Sequence, residues 1–409
     1  MSTKKINVLK PKYRTRKILS GIKECLDKGW TGIGFKTEEF ESEWCKYTGL
    51  PHSHFISSNT AGLHLALEVF KRRYAWEEGS EVITTPLTFI SSNHAILHSN
   101  LKPVFADVDE SLCLSPLSIL SKITPKTKAV MYVGIGGNTG ELEEVERICL
   151  KHNLKLILDA AHMAGTKVNK VFHGVGSTEH HVGQEADVTV FSFQSVKNLP
   201  TADSGMICFR ERENDSAVRK LSWLGINKDT FNRSEQGTYK WKYNVDELGY
   251  KYHGNSIMAS IGLVQLKYLD KDNAYRRKVA RWYTEILKEM EKKDWLNLVP
   301  DSPLVSSSSK HLFQIRVNEK LRDDLILTLQ QNNIYPGVHY IDNTQYPMYK
   351  DAFGSCPNAH LFSNQLLTLP IHLGIKKKDV KRICNIIINK IYENCFNNRY
   401  QWNGRKPFS

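Results

Sequence analysis

No uninterrupted apolar run in this chain approaches the roughly 18 residues that a membrane-crossing helix needs, so nothing in it is expected to span a bilayer. The first residues, MSTKKINVLKPKYRTRK, have neither an apolar core nor a small-residue cleavage site, so no secretory signal is expected there. Eight cysteines (Cys25, Cys45, Cys113, Cys149, Cys208, Cys356, Cys384, Cys395) lie far apart, with no Cys-x-x-Cys pair. That spacing suits neither a structural zinc site nor a disulfide framework; it suits reduced, buried thiols in a cytoplasmic protein, with no metal. There is no internal repeat and no low-complexity linker. The nearest approach is Ser306-Ser307-Ser308-Ser309, which reads as a surface loop. No RNP, helix-turn-helix or zinc-finger signature is present, and no Gly-x-Gly-x-x-Gly opens the first βα turn, as a nicotinamide-dependent Rossmann enzyme would require.

What is present is enough chain for a large core. The 409 residues are 41% hydrophobic, 24% charged and 10% aromatic, which excludes a disordered or collagenous chain. Length suggests two or three domains, or one large α/β domain with an appendage. Lys+Arg number 56 against 43 Asp+Glu, a net charge of +13. The excess is concentrated at the two ends, in Lys4–Lys17 and Lys376–Arg382. A nucleic-acid binder would carry a contiguous basic stripe interleaved with aromatics, so no nucleic-acid partner is expected; a phosphorylated small substrate fits the charge as well.

From about residue 53 to 210, short β-branched runs alternate with amphipathic segments. Strands are expected at His54–Ser57, Glu81–Thr84, Pro103–Asp107, Ala129–Val133, Lys155–Asp159, Val188–Phe191 and Gly205–Phe209. Helices are expected at Ala61–Lys71, Phe89–His98 and Leu142–His152. That alternation argues for a mostly parallel sheet covered on both faces. After about residue 250 a single long helix is expected over Ile257–Lys292. A strand (Leu312–Val317), a helix (Leu321–Asn332), a loop rich in Tyr, His and Pro, and a closing helix (Lys378–Asn394) follow. The reading is a large domain over residues 1–250 and a smaller α+β domain over 251–409.

Ligands of open α/β sheets bind beyond the carboxyl ends of the strands. Asp159 stands at one such end, before Ala160-Ala161-His162; a helix N-cap is the plain alternative for a carboxylate there. Lys197 lies just past another strand, where a loop lysine is ordinarily solvated. Ser57-Ser58-Asn59-Thr60-Ala61-Gly62 joins a strand to a helix, and such small residues let N–H groups and hydroxyls approach an anion, although turns favour them too. Phe89 would by default be core. The adjacent His180-His181 is a poor ligand pair without further partners, and the His- and Gly-rich stretch 172–184 reads as a loop.

In order, these pieces are a phosphate-type loop, an aromatic, a strand-end Asp-Ala-Ala-His, and Ser192-Phe193-Gln194-Ser195-Val196-Lys197-Asn198. With Gly29–Gly34, Glu81–Phe89, Pro103–Asp109, Glu247–Tyr252 and Gly262–Leu266, the set resembles the DegT/DnrJ/EryC1/StrS family of pyridoxal-phosphate sugar aminotransferases over nearly the whole chain. The resemblance implies the fold-type I, aspartate aminotransferase-like architecture, with a seven-stranded sheet in the large domain. It implies pyridoxal 5′-phosphate as cofactor, Lys197 as the Schiff-base lysine and proton carrier, and Asp159 as the carboxylate at the pyridinium nitrogen. His162 falls where the family borders the ring hydroxyl, and Phe89 where it stacks on the ring. Thr60, Ala61 and Ser192 match the phosphate cradle, with Gln194 nearby. A neighbouring subunit completes that cradle in the family, which points to His253 or Asn255 and to a homodimer with a shared active site. Gly337-Val338-His339-Tyr340 resembles the sugar-facing loop, making His339 and Tyr340 substrate contacts.

The implied reaction moves an amino group from L-glutamate to a keto group of a nucleotide-linked deoxysugar, for amino-sugar biosynthesis. A non-nucleotide keto-sugar or a cyclitol precursor stays open as acceptor. The family's dehydratase branch has histidine at the lysine position, so Lys197 argues against it. Retention of both Asp159 and Lys197 argues against a non-catalytic scaffold. The chain departs from many relatives at Gly134–Gly140, which lacks a histidine, and at Ala202-Asp203-Ser204-Gly205, where they have Gly-Glu-Gly-Gly.

Overall fold

In the strand Lys155–Asp159, Leu156 and Leu158 pack into one apolar cluster and Ile157 into another, and all three are buried. A strand buried on both faces must be covered on both by other layers. A computed structural model, describing residues 4–172, 176–226, 243–293 and 295–396, places this strand at the centre of a seven-stranded sheet. Its strands are β1 (His52–Ile56), β2 (Glu81–Thr84), β3 (Lys102–Phe105), β4 (Thr127–Val133), β5 (Lys155–Asp159), β6 (Val188–Ser192) and β7 (Gly205–Phe209). The order across the sheet is β1-β7-β6-β5-β4-β2-β3. Only β7 runs antiparallel to its neighbours, β1 and β6; the other pairs are parallel. The expected mostly parallel α/β sheet is therefore the one found.

The same alternation repeats in β4, where Val130 and Tyr132 join the first cluster and Ala129 and Met131 the second. Helix Asn59–Arg73 covers one face. Its fourth residue has to be glycine: a Cβ on Gly62 would stand 2.4 Å from Ile56 Cδ1 and 2.5 Å from Val190 Cγ1. Close approach of helix to sheet at this point brings the helix N-terminus beside the ends of β1 and β6. Because every strand but β7 points the same way, the segments after β1, β2, β4, β5 and β6 gather along one edge.

The remaining elements include three departures from expectation. The long helix is two, Ser256–Leu266 and Leu269–Glu291. The first buries Gly262 against Phe40, where a Cβ would stand 2.6 Å from the ring. The second starts afresh with Asp270 and Asp272 in its first turn, where the helix dipole favours acids. The stretch read as a loop around 172–184 is largely a hairpin, Lys167–Phe172 against Gly176–His181; His173 and Gly174 lie outside the described residues. Within it His181 is buried, its Nε2 accepting from Gly165 N–H and its Nδ1 donating to Val182 O. His180 pairs with Glu185 at 2.6 Å. Third, Ser306–Ser309 is not a surface loop. Val305–Ser307 adds a strand to that hairpin, and Ser308 and Ser309 are buried.

The C-terminal part holds an antiparallel sheet of Asn297–Leu298, Phe313–Arg316 and Leu366–Leu369, packed under helices Leu269–Glu291, Glu319–Gln331 and Lys377–Phe396. Strand Ile6–Asn7 pairs with Ile334–Tyr335 and buries Ile6 in the same cluster. Among the described residues no helix is long and apolar enough to cross a membrane. Ile157, with no exposed surface at the sheet centre, reports on the whole. Ile157→Ala is expected to cost about 2–5 kcal/mol, read as a lowered urea midpoint; an unchanged midpoint would refute the two-sided packing.

Candidate active site

A cavity of about 440 Å³ opens at this edge, lined among others by Ser58, Phe89, Asp159, Ser192, Lys197 and Tyr340. At its floor Asp159 is buried and held by three donors. Its Oδ1 accepts from Asn59 Nδ2 at 3.2 Å and from Ala161 N–H at 3.1 Å; its Oδ2 accepts from Ser92 Oγ at 2.7 Å. Asn59 is held in turn by Val190 O at 3.0 Å, which fixes which end of its amide faces the carboxylate. Burial raises the Asp159 pKa; the hydrogen bonds and the charge of Lys197 oppose that rise. The carboxylate thus caps no helix. It is an acceptor aimed by three donors.

Lys197 is half-buried in the cleft, and among the described residues its ammonium makes no hydrogen bond. Burial pushes its pKa down to about 8, and Asp159 pulls it partly back. A partly desolvated cation with one opposite charge nearby is an unusual setting for a loop lysine, and it leaves an amine that deprotonates readily. The backbone here is set by a turn, with Lys197 N–H donating to Gln194 O.

Beside them lies a set of uncommitted donors. Ser58 caps helix Asn59–Arg73, its Oγ accepting from Ala61 N–H, so that this N–H is already used. Thr60 is exposed at the same helix start, and its hydroxyl has no partner among the described residues. Ser192 Oγ accepts from Gln194 N–H at 3.4 Å, leaving its own hydrogen to give. Gln194 Oε1 accepts from Val196 N–H, which leaves its NH₂ without an acceptor among the described residues. Hydroxyls and an amide converging on a helix N-terminus suit an anion.

The opposite wall is His162, His339, Tyr340 and Phe89. His162 is buried and held well below the usual imidazole range, first by desolvation and then by Lys197 and His339. His339 is held at about 4 by burial, its Nδ1 3.0 Å from Thr368 Oγ1. Phe89 is 59% exposed on the cleft wall rather than core, its ring 6.0 Å from that of Tyr340. His253 and Asn255 do not line this cavity. The His253 ring packs on Trp223 and its Nδ1 donates to Gly254 O, while Asn255 Oδ1 caps helix Ser256–Leu266.

Several supports escaped the sequence reading. Asn59 stood inside the singled-out loop, yet its role as donor to Asp159 depends on the helix lying against β6. Ser92 sits one turn after Phe89, a spacing that places both near the cleft. Asn343 ties the two walls together: its Nδ2 donates to Thr88 O, its Oδ1 accepts from Asn93 Nδ2, and its N–H donates to Pro86 O.

The chain matches the family model of the DegT/DnrJ/EryC1/StrS aminotransferase family over residues 13–388. It is 32% identical over 380 residues to the spore coat polysaccharide biosynthesis protein SpsC of Bacillus subtilis, covering 90% of this chain and 92% of that protein. Among solved structures it is similar to the aminotransferase TlmJ from Streptoalloteichus hindustanus, with TM-score 0.84 and 28% identity over 95% of this chain and 100% of that one. It is also similar to Helicobacter pylori PseC, an aminotransferase involved in the biosynthesis of pseudoaminic acid. That match has TM-score 0.83 and 25% identity over 95% of this chain and 100% of that one.

The Asp159–Lys197 electrostatics make a direct prediction. In cofactor-free protein, reductive methylation of Lys197 followed across pH by mass spectrometry is expected to titrate near 8, against 10.5 for an ordinary lysine. Asp159→Asn removes the charge that favours the ammonium, so the midpoint should fall further. A midpoint near 10.5 in the parent protein would contradict the burial argument.

Proposed function

Because the chain belongs to the DegT/DnrJ/EryC1/StrS aminotransferase family and is a pyridoxal-phosphate-dependent sugar aminotransferase, we propose that it transfers an amino group from L-glutamate to a keto group of a nucleotide-linked deoxysugar. The observation that carries this is the convergence of Lys197, Asp159 and the uncommitted donors of Thr60, Ser192 and Gln194 on one cleft. That donor set fits the cofactor: an amine to hold it, a fixed carboxylate for its ring nitrogen, hydroxyls and an amide for its phosphate, and the Phe89 face for its ring. When bound, the cofactor supplies an electron sink for the carbon that loses a proton.

This chain's residues do the rest. Lys197 would hold the cofactor through its amine and would serve as the base and acid that moves a proton on Nζ. An amine held at about 8 can both take and give that proton near neutrality. Asp159, fixed by Asn59, Ser92 and Ala161, would keep the cofactor's ring nitrogen protonated. Neutral His162 would border the cofactor's ring hydroxyl, and His339 and Tyr340 would contact the sugar.

The phosphate site is completed by His253 of the partner subunit or by Asn255 of the partner subunit, so the working unit is a homodimer. Two features support this: neither position lines its own cavity, and Leu248 is 86% exposed a few residues upstream. The capping bond of Asn255 uses only its oxygen, so its NH₂ can still donate. The net charge of +13 favours a diphosphate-linked substrate, and the setting is the cytoplasm. A keto-sugar without a nucleotide, or a cyclitol precursor, is the second reading of the acceptor.

Protein incubated with pyridoxal phosphate is expected to show the visible absorbance band of lysine-bound cofactor, and L-glutamate is expected to bleach it. Lys197→Ala should abolish both band and turnover. A band indifferent to L-glutamate would reject that donor, and normal turnover by Lys197→Ala would reject the lysine assignment. A mixture of Lys197→Ala and His253→Ala subunits, assayed at limiting cofactor, should recover activity that neither has alone, because one site of the hybrid is intact. No recovery on mixing would place His253 outside the neighbouring site.

A further inference from the structure

Behind the cleft wall, two histidine rings lie face to face, His162 and His311, with centroids 4.4 Å apart and planes inclined by 31°. Both are buried, and their protons can be assigned from fixed partners. Gly136 N–H donates to His162 Nδ1 at 3.1 Å, so a neutral His162 carries its hydrogen on Nε2. That nitrogen faces Tyr340 Oη at 3.2 Å. The phenol oxygen therefore accepts from His162, and its own hydrogen has no acceptor among the described residues.

His311 is fixed from the other side. Asn198, next in sequence to Lys197, donates through Nδ2 to Ser309 O and Asn273 Oδ1, both at 2.8 Å. A backbone carbonyl can only accept, so the amide orientation is settled and Asn198 Oδ1 must accept from His311 Nδ1 at 2.9 Å. The backbone closes the loop: His311 N–H donates to Gly136 O at 3.0 Å, on the same glycine whose N–H holds His162. Gly136 has φ +65°, the left-handed region where glycine costs least. Ser309 Oγ also donates to His162 O at 2.6 Å. Burial keeps both rings neutral and pushes the Tyr340 phenol well up, so this hydrogen-bond direction persists across the working pH range.

We propose that His311 is a positioning residue: anchored by Asn198 and Gly136, it seats His162 with its hydrogen on Nε2 and so keeps Tyr340 a hydrogen-bond donor toward an oxygen of the bound substrate. The inference rests on the aminotransferase reading of this cleft. It assigns the substrate an acceptor group opposite Tyr340, a carboxylate or keto oxygen rather than a donor.

The test has two arms. The first is the nitrogen-15 imidazole spectrum of the full-length protein with and without pyridoxal phosphate, the His162 signal being identified by its loss in His162→Asn. A protonated Nε2 with a bare Nδ1 is expected. A protonated Nδ1, or an imidazolium at neutral pH, overturns the proposal whatever the activity. The second arm is a double-mutant cycle on the single-turnover rate with L-glutamate. His311→Phe should slow the parent enzyme roughly tenfold, about what one lost hydrogen bond to the reacting group is worth, with cofactor affinity unchanged. In a Tyr340→Phe background the same change should cost less than about twofold, because the donor it serves is gone. Equal losses in both backgrounds would show that His311 acts structurally. If His311→Phe does not fold, His311→Asn, which keeps a donor for Asn198, carries the same cycle. A parent enzyme inert toward L-glutamate would fail the functional reading instead, and the spectrum would still decide this one.

Discussion

Asp159 is buried and Lys197 has lost part of its water, and most of what surrounds them answers that one constraint. Desolvation is the largest influence on both groups and works against the charge of each. Neither could stay ionised in such a place without compensation, and the compensation is visible. Three donors converge on the carboxylate, and the two charges favour one another. The arrangement leaves a carboxylate that stays where it is aimed and an amine close to losing its proton. A solvated lysine would be a poor base at neutral pH, and a solvated aspartate would have no fixed direction. The chemistry therefore depends on the sheet delivering both groups to a cleft that strips away part of their water.

The sheet was legible because its strands are short, β-branched and separated by amphipathic segments, a pattern set by local periodicity. Asp159 and Lys197 were legible because each follows an apolar strand, where the carboxyl ends of a parallel sheet must lie. Pieces whose structure is decided by distant partners were not. The hairpin around His180 and His181 looks like a polar loop until Val305–Ser307 is laid beside it. Ser306–Ser309 reads as surface because serine runs usually are, yet Ser308 and Ser309 are buried with hydrogen bonds to Gly137 O and His162 O. The break at Lys267–Tyr268 falls within a continuous helical pattern; what marks it is the acidic first turn of the second helix.

Within the site, residues that touch the cleft stood out in the sequence and residues that hold them did not. Ser92, His311 and Asn343 have no motif of their own, and Asn198 stands in the lysine motif with no role assigned to it there. Their roles come from angles between elements, as when Asn343 binds both the loop that carries Phe89 and the loop that carries Tyr340. Asn198 is the clearest case. It neighbours Lys197 in sequence, but its side chain turns to the C-terminal part of the molecule, so hydrogen bonds tie the lysine loop to the segment Ser309–His311.

The pairing of Ile6–Asn7 with Ile334–Tyr335 bears on how the molecule is made. During synthesis the first strand leaves the ribosome more than three hundred residues before its mate exists. Helix Phe35–Thr48 waits similarly for Ser256–Leu266, against which it packs through Phe40 and Gly262. Until then Ile6 and Phe40 have none of their late partners, and the half-made chain carries apolar surface that its own later residues will cover. Chaperone occupancy on the nascent protein should thus be decided less by the sheet, which can assemble early, than by an N-terminal arm that must wait for residues beyond 255.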